Sequence, residues 1–469
     1  MAKKSRRKEE DSDDTGGGGG VEYLSESHTI VSVASAVDGA SMEDDPSWGI
    51  NDDDTGDAAH AAENALQAAE DRQVKFVDAV ATTVDFSQEK RSVKREQLLK
   101  LWFKAITQYG NPTVAEDHQA ALLQCCRQSL RIGTPSEQYA ACRVMEALAV
   151  LVADESYYND VQGHLTRMIT AAHRAVPVRI AALRALGMAV YMGVEDDQIT
   201  EAILDLCEQL AQAEYRGDKV PMSLRAAALE VWTVLATTIH ELHVAGKDEV
   251  STGRGLLLLP LLLECLEQSE DSQLRSNAGE CVAFIHTARV ALGVDETDET
   301  LNTTQKQYQQ GSWEGSEWED IISEIEQVMD DLSNQSGHYM SKKAKKEQRA
   351  NFREYLATIQ ENEDPEEVVQ FRQGSLELHT WKEIVVLQFV RRCLQGGFQV
   401  QLLTNPTLQT IFGLSLDASA TGGMSQLEKR LFVSKTSEAA KLKDVDRTKK
   451  RDKRTNIKNH FLTADGEDI

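Results

Sequence analysis

The sequence predicts an all-α protein: an armadillo/HEAT-like solenoid of helical repeats followed by a small helical C-terminal module. Two observations support this fold class. One residue pattern recurs five times at intervals of 43, 41, 46 and 50 residues, a spacing typical of armadillo and HEAT arrays. The composition suits packed helices, since 41% of the 469 residues are hydrophobic but only 6% are aromatic and eight are proline. Each unit of such an array buries its apolar face by stacking on its neighbours.

Each copy of the pattern begins at a polar residue, which we call the anchor, and continues as one helical stripe. The residues three, four and seven positions after every anchor are small or apolar, and these offsets share one face of a helix. The residue five positions after every anchor is charged and is expected to point away from that stripe. The anchors are Arg95, Gln138, Arg179, Arg225 and Arg275, and the charged residues are Lys100, Arg143, Arg184, Glu230 and Glu280.

Second helices of suitable length follow the anchored ones and complete each unit. We predict them at residues 117–131, 160–174, 198–214, 255–268 and 317–332. The Thr134-Pro135 step supplies an N-cap and a first-turn proline for the second anchored helix. The stretch 295–315, rich in Asp, Glu, Thr and Gln, is the expected excursion from the array.

After residue 335 the pattern changes to a basic helical segment and shorter helices. Six cations fall within the twelve residues 342–353, which lead into a helical segment with Phe352, Tyr355 and Ile359. Asp364-Pro365 is the expected start of the next helix, and Thr380 with Glu383 forms a capping box for another. A last short helix begins at Asn405-Pro406. We expect this helical module to dock on the end of the array.

Charge is distributed in blocks, which define the ends of the chain. Residues 9–71 carry 18 acidic and no basic residues, together with the pentaglycine at 16–20, and are expected to be disordered. Residues 425–460 sum to +7. Because the whole chain sums to −26, residues 1–71 to −13 and residues 425–460 to +7, all residues outside these two blocks together sum to −20. We therefore divide the chain into an acidic segment (1–71), the array (72–335), the C-terminal module (336–414) and a basic tail (415–469) that becomes helical on binding.

The cysteines and the N-terminus predict an intracellular soluble protein. Seven cysteines without a C-x-x-C pair lie mostly in amphipathic segments, as buried residues of a reducing compartment do. The N-terminal cations are not followed by an apolar stretch, so no secretory signal is expected. The longest apolar run, 256–263, is far shorter than the roughly 20 residues of a membrane span.

No motif of a known enzyme class is present, so we predict a non-enzymatic protein without cofactor or metal. His240 and His243 are three residues apart, whereas the zincin motif requires four. The pentaglycine lacks the lysine and the strand–helix context of a phosphate-binding loop.

Two basic stretches carry the functional signal. The first is either a solvated helix face or a phosphate-contacting patch, and comprises Lys342, Lys343, Lys345, Lys346, Arg349 and Arg353. The second is an RNA-binding arm, a nuclear localisation signal or a merely soluble tail, and comprises Lys441, Lys443, Arg447, Lys449, Lys450, Arg451, Lys453 and Arg454. Sequence-specific DNA binding is not expected, because the acidic body would be repelled by duplex phosphates.

Several stretches resemble the interferon-related developmental regulator family. They are 133–141, 274–280, 381–383, 403–414, 447–454 and, most specifically, the K-x-x-x-x-x-Q-R-x-x-F-R element at 342–353. The resemblance implies a non-enzymatic helical-repeat protein with one of two activities: transcriptional co-regulation through protein partners, or occupation of translationally inactive ribosomes. In the second, the body lies among the tRNA sites and the basic C-terminal helix enters the RNA-lined mRNA path.

The leading hypothesis is therefore a cytoplasmic, ribosome-associated regulator whose two basic stretches contact ribosomal RNA. The alternative is a nuclear transcriptional co-regulator that holds a peptide partner on the concave face of the array and uses the tail for import. An import-adaptor role ranks last, because Trp102 and Trp232 fall on the stripe assigned to the core. No membrane and no small-molecule substrate are expected as partners.

Overall fold

A computed structural model describes residues 58–246, 253–294, 317–334, 342–371 and 374–414. The predicted excursion 295–315 and the basic tail lie outside these ranges, as does the acidic segment up to residue 57. Residues 58–71, which we expected to be disordered, are helical in the structure. This stretch is rich in alanine, the residue with the highest helix propensity, and its helix continues to Ala81.

The described chain consists of helices and two short hairpins. The helices up to the middle of the chain are α1 (Ala58–Ala81), α2 (Thr83–Gln88), α3 (Ser92–Tyr109), α4 (Pro112–Ile132), α5 (Pro135–Val152), α6 (Glu155–Thr170), α7 (Val176–Gly193), α8 (Asp197–Ala211) and α9 (Met222–Ala236). The later helices are α10 (Glu241–Ala245), α11 (Arg254–Gln268), α12 (Ser272–Val294), α13 (Glu317–Asn334), α14 (Lys342–Glu361), α15 (Trp381–Leu394), α16 (Phe398–Thr404) and α17 (Pro406–Ile411).

The long helices form two rows, as the repeat pattern predicts. The inner row consists of α3, α5, α7, α9, α12 and α14, each of which packs on the next. The outer helices α4, α6, α8, α11 and α13 each pack against the inner helix that follows them in the chain. This alternation confirms the helical-repeat solenoid.

The predicted stripe forms the core of the array. All residues four and seven positions after an anchor are buried. The residues three positions after an anchor are also buried, except Leu98, which is partly exposed. The seven cysteines are all buried and unpaired, and burial raises the pKa of thiols such as Cys125, to about 11. Helix α7 is long and apolar enough by composition to cross a membrane, but it packs among α5, α6 and α9 as a core helix of the array.

The anchors have a shared structural role that explains their polarity. Arg179 donates from Nε to the carbonyl oxygen of Ile169 at 2.8 Å, and Gln138 donates to that of Gly133 at 3.0 Å. Carbonyl groups in the last turn of a helix have no intrahelical partner and form the negative end of the helix dipole. Each of these anchors therefore binds the C-terminal end of the preceding helix and fixes the angle between the helices of a pair.

Replacement of Arg225 by alanine should destabilise the fourth unit by about 1.5–3 kcal/mol, the range for hydrogen bonds to a charged group. Arg225 is 8% exposed and donates to the Ala211 carbonyl at 2.6 Å and to Glu264 Oε1 at 3.1 Å. Because Gln138 is the anchor of the second unit, Arg225→Gln should retain part of the stability. Urea unfolding followed by circular dichroism measures both; equal stability of wild type and Arg225→Ala would contradict this role.

Two short hairpins interrupt the helices. Strands β1 (Glu214–Tyr215) and β2 (Asp218–Lys219) pair antiparallel between α8 and α9. Strands β3 (Glu367–Phe371) and β4 (Gly374–Leu378) pair antiparallel after α14. The helix expected from Asp364-Pro365 is therefore wrong. The buried residues of this hairpin, including Val369, Leu376 and Leu378, alternate with exposed ones, which is the two-residue period of a strand.

Residues 381–414, which we call the strap, run back along the inner row. Trp381 donates to Thr358 Oγ1 of α14 at 2.9 Å, helix α15 then contacts α12, α9 and α5, and α16 contacts α3. Fully buried Gln401 donates to the Gly110 carbonyl at the end of α3, at 3.0 Å. The strap therefore spans the array from its last unit to its first, whereas we expected the module to dock only on the end.

Close backbone contact and predicted caps hold the strap in place. Gly397 lies so near the Thr107 carbonyl of α3 that a Cβ atom would overlap it. The capping box of Thr380 and Glu383 is present at the start of α15, and Asn405 caps α17 as expected. Helix α15 ends at Leu394 and is followed by Gln395 at a positive φ of 50°.

Candidate nucleic-acid interface

Helix α14 holds the first predicted basic stretch, and one face of the helix is built into the array. Phe352 and Tyr355 are buried and lie against Gly279 of α12. Buried Asn351 donates to Ser276 of α12 at 3.2 Å. These contacts fix the rotation of α14 about its axis and thereby the direction of its opposite face.

The opposite face of α14 carries the cations. Helical spacing places positions 342, 346, 349 and 353 on one side of the helix, away from Phe352 and Tyr355. Lys346 and Arg353 are exposed, and neither forms an ion pair within the ranges the structure describes. Exposed cations without a carboxylate partner are available to contact phosphate groups.

The other predicted cations are placed less fully. Arg349 is half-buried and has a partner within the protein, so Lys346 and Arg353 are the more accessible members of this stretch. Lys342, Lys343 and Lys345 belong to the first turn of α14, and their side chains lie outside the described set. The tail cations from Lys441 to Arg454 also lie outside the described residues, and RNA binding by both basic stretches stays a prediction.

The sequence analysis missed that α14 is a sixth copy of the repeat. Gln348 donates to the Leu332 carbonyl near the end of α13 at 3.3 Å, as Gln138 and Arg179 do at the ends of α4 and α6, and it accepts from Arg275 at 3.1 Å. Buried Phe352 and Tyr355 follow it by four and seven positions, and Arg353 by five. The copy was hidden because it follows Arg275 by 73 residues. Gln348 and Phe352 of the basic element are therefore structural.

A buried ion network joins the strap to the inner row. Arg392 of the strap, 3% exposed, lies 3.0 Å from Glu146 Oε1 and 2.7 Å from Glu230 Oε1. Arg143 pairs with Glu146 at 2.5 Å, and Arg184 pairs with Glu230 at 2.8 Å. Arg143 also donates to a strap carbonyl, that of Cys393, at 3.0 Å. Three of the five charged residues at offset five thus hold the strap directly or through this network.

Glu230 of the network and the nearby Glu280 have pKa values that are shifted in opposite directions. Burial raises the pKa of Glu230, but the guanidinium groups of Arg184 and Arg392 outweigh burial and leave that pKa below its ordinary value. Among the described residues, Glu280 forms no ion pair with a guanidinium group. Its burial, together with the neighbouring Glu230 carboxylate, raises its pKa to about 8.

A small polar cavity lies where the strap, α9, α12 and α14 meet. It has a volume of about 30 Å3 and is lined by Glu280, Asn351, Gln388 and Arg392, among others. A cavity of this size holds about one water molecule. Within the described ranges, no group of three His, Cys, Asp or Glu side chains is placed to bind a metal ion. His240, considered above, instead accepts a hydrogen bond from the Leu242 amide at the start of α10, at 3.1 Å.

Comparison with known proteins identifies relatives across most of the chain. A sequence model of the family described as interferon-related developmental regulator (IFRD) matches residues 46–360. Interferon-related developmental regulator 2 of Mus musculus is 25% identical over 392 residues, 80% of this chain and 82% of the relative. Interferon-related developmental regulator 1 of Mus musculus is 24% identical over 83% of this chain and 82% of the relative, and that of Homo sapiens is 23% identical over 84% and 83%.

Proposed function

The chain belongs to the interferon-related developmental regulator family, and from that premise we propose that it is a non-enzymatic, ribosome-associated regulator. It occupies translationally inactive ribosomes, with α14 against ribosomal RNA and the basic tail in the mRNA path. It needs no cofactor and acts in the cytoplasm, and it also enters the nucleus if the tail serves as an import signal. The resemblance that suggested this role from the sequence extends to the relatives, whose names describe them as regulators.

The exposure of Lys346 and Arg353 is the observation that carries the proposal. The chain as a whole has a net charge of −26. Lys346 and Arg353 point away from the core face of α14, without an ion-pair partner among the described residues, and helical spacing places them on one side of the helix. Phosphate groups are the most abundant anions on a ribosomal RNA surface, and contacts of this kind make binding strongly dependent on salt.

The strap weakens the support for the alternative function. A co-regulator that holds a peptide on the inner row needs that surface to be accessible. Helix α15 covers parts of α5, α9 and α12, and its Arg392 forms ion pairs with Glu146 and Glu230 of that surface. A peptide partner would have to bind elsewhere or displace 34 residues of the chain itself, from Trp381 to Leu414.

Double charge reversal at Lys346 and Arg353 should weaken ribosome binding and flatten its salt dependence. Loss of two phosphate contacts should lower the slope of log K against log salt by about 1.4–1.8, at roughly 0.7–0.9 per contact. Full-length protein would be sedimented with purified vacant ribosomes over a series of salt concentrations. The matched control is Arg167→Glu with Lys219→Glu, which changes the net charge equally at exposed positions on α6 and β2.

The control variant should sediment as the wild type does. If wild-type protein does not sediment with ribosomes at low salt, the ribosomal function is wrong. If it does sediment and the α14 variant keeps the wild-type slope, α14 is not the contact and the proposal loses its main support.

A further inference from the structure

A second group of exposed cations lies at the opposite end of the inner row. We call it the α3 cationic face; it comprises Lys90 and Arg91, directly before α3, and Lys94, Lys100 and Lys104 within the helix. All five side chains are exposed. Helix α3 belongs to the first anchored unit and α14 to the sixth, so the two cationic surfaces lie at the two ends of the row.

Only part of the charge on the α3 cationic face is neutralised by the protein. Lys94 lies 3.5 Å from Glu89, and Lys100 lies 2.7 Å from Glu96. The two lysine side chains are 54% and 68% exposed, and ion pairs at such positions contribute little to stability, about 0.2–1 kcal/mol. Phosphate groups can therefore replace these carboxylates at low cost. Counting all five cations against the two acids, the face keeps a charge of +3.

The α3 cationic face borders the strap. Lys104 precedes by one turn Thr107, whose carbonyl accepts a hydrogen bond from strap residue Gln401 at 3.2 Å. Phe103, beside Lys104, lies under the guanidinium of Arg143, 4.9 Å from the ring centroid, and Arg143 binds the strap. Lys104, and Lys100 one turn before it, therefore lie on the side of the array that the strap follows at its first unit.

Charge is segregated between the strap and the outer helices. From position 384 to 414 the strap contains no Asp or Glu, and its only charged residues are Arg391 and Arg392. By contrast, α13 carries seven acidic and no basic residues, and α8 carries four acidic and no basic residues. The carboxylates of Glu146 and Glu230, which contact the strap, are paired with arginines, and exposed Glu366 and Glu377 lie in the hairpin region before the strap. A polyanion that approaches over the strap thus meets few carboxylates.

From these observations we propose that the α3 cationic face is a second RNA-binding surface, which contacts backbone phosphates at the opposite end of the array from α14. The inference rests on the proposed function and adds a site to it. Five inner-row steps of about 8–10 Å separate the two surfaces, on the order of 40–50 Å along the row. Two linked contacts bind more tightly than either alone, because the second is formed intramolecularly.

The test compares full-length wild type with Lys100→Glu/Lys104→Glu in sedimentation with vacant ribosomes over a salt series. We expect at least tenfold weaker binding and a log–log slope lower by about 1.4–1.8, for two lost contacts. The α14 variant Lys346→Glu/Arg353→Glu and the control Arg167→Glu/Lys219→Glu are measured in parallel. Thermal unfolding of each variant verifies folding, since all the altered side chains are exposed.

The outcomes separate this inference from the function on which it rests. If wild type and the α14 variant differ as expected but the α3 variant matches the control, the α3 cationic face does not bind RNA and the ribosomal function stands. If wild type does not sediment with ribosomes, both proposals are wrong. If the α3 variant binds more tightly than wild type, the face holds an acidic segment of the chain instead of RNA, and the inference is overturned.

Discussion

Replacement of Arg392 by alanine should destabilise the protein by about 3–5 kcal/mol, the range for removing one partner from a buried ion pair. The guanidinium is 3% exposed and lies within 3.0 Å of carboxylates from two inner-row helices, Glu146 of α5 and Glu230 of α9. Without it, the two buried carboxylates keep only Arg143 and Arg184 as partners. The variant also loses the contact of Arg392 with the ring of Phe389, 4.6 Å away.

Urea unfolding gives the change in stability, and limited proteolysis reports release of the strap. The control is Lys382→Ala, an exposed change on the same helix α15 that should alter the stability by less than about 0.5 kcal/mol. We expect Arg392→Ala to be cut within the strap at protease concentrations that leave the control intact. Equal stability of the two variants would mean that the network does not hold the strap.

Replacement of Glu280 by glutamine should stabilise the protein at pH 8 and have little effect near pH 4.5. The folded-state pKa of Glu280 is raised to about 8, by burial first and then by the carboxylates of Glu230, Glu354 and Glu367. The folded protein therefore binds a proton that the unfolded chain releases above about pH 4.5. Stability is lost as the pH rises through this window, even though Arg184 and Arg392 line the same cavity.

Glutamine cannot ionise, so the difference between Glu280→Gln and wild type should grow from pH 4.5 to pH 8. We expect the difference to reach about 1–3 kcal/mol. This is less than the full pKa shift would give at ~1.4 kcal/mol for each pKa unit. The measurement is urea unfolding at four pH values across the window. Glu377→Gln, at an exposed position on β4, is the control and should show no such growth. A constant difference across the window would contradict the raised pKa.

The repeat pattern predicted the array because its signal is local. Anchor, apolar stripe and charge recur within eight residues, and each unit repeats the same packing, so one sequence shows the inner row directly. The excess spacing before Gln348, 73 residues against 41–50 elsewhere, hid the sixth unit. The β3–β4 hairpin was missed because the proline after Asp364 was read as a helix start, although the alternation of Val369, Leu376 and Leu378 favoured strands.

The position of the strap could not be read from the sequence. Its contacts join residues far apart in the chain, such as Gln401 with Gly110 and Arg392 with Glu146, and no local pattern encodes such a pairing. The charges at offset five did point away from the stripe as expected. What the sequence did not reveal is that Arg143, Arg184 and Glu230 meet the strap network there instead of water.

For the candidate interface, the sequence predicted that the basic residues 342–353 lead into a helical segment, and the structure has a helix at Lys342–Glu361, but the sequence did not separate the structural from the accessible residues. The packing of α14 on α12 and α13, including the contacts of Phe352 and Tyr355, determines which side of α14 faces outward. The α3 cations were visible in the sequence, but two lie beside acidic residues and the whole group stands within an acidic body. Their significance emerges from exposure and from their place at the end of the row.

The return of the chain from Trp381 to Asn405 also changes how the array should unfold. In an open stack each unit contacts only its neighbours, so terminal units can fray independently of the rest. Here Gln401 and Asn405 bind the ends of α3 and α5, while Trp381 binds α14. The strap therefore contacts both ends of the stack. Unfolding of either end unit removes strap contacts that also stabilise the other end, so the array should unfold in one cooperative transition.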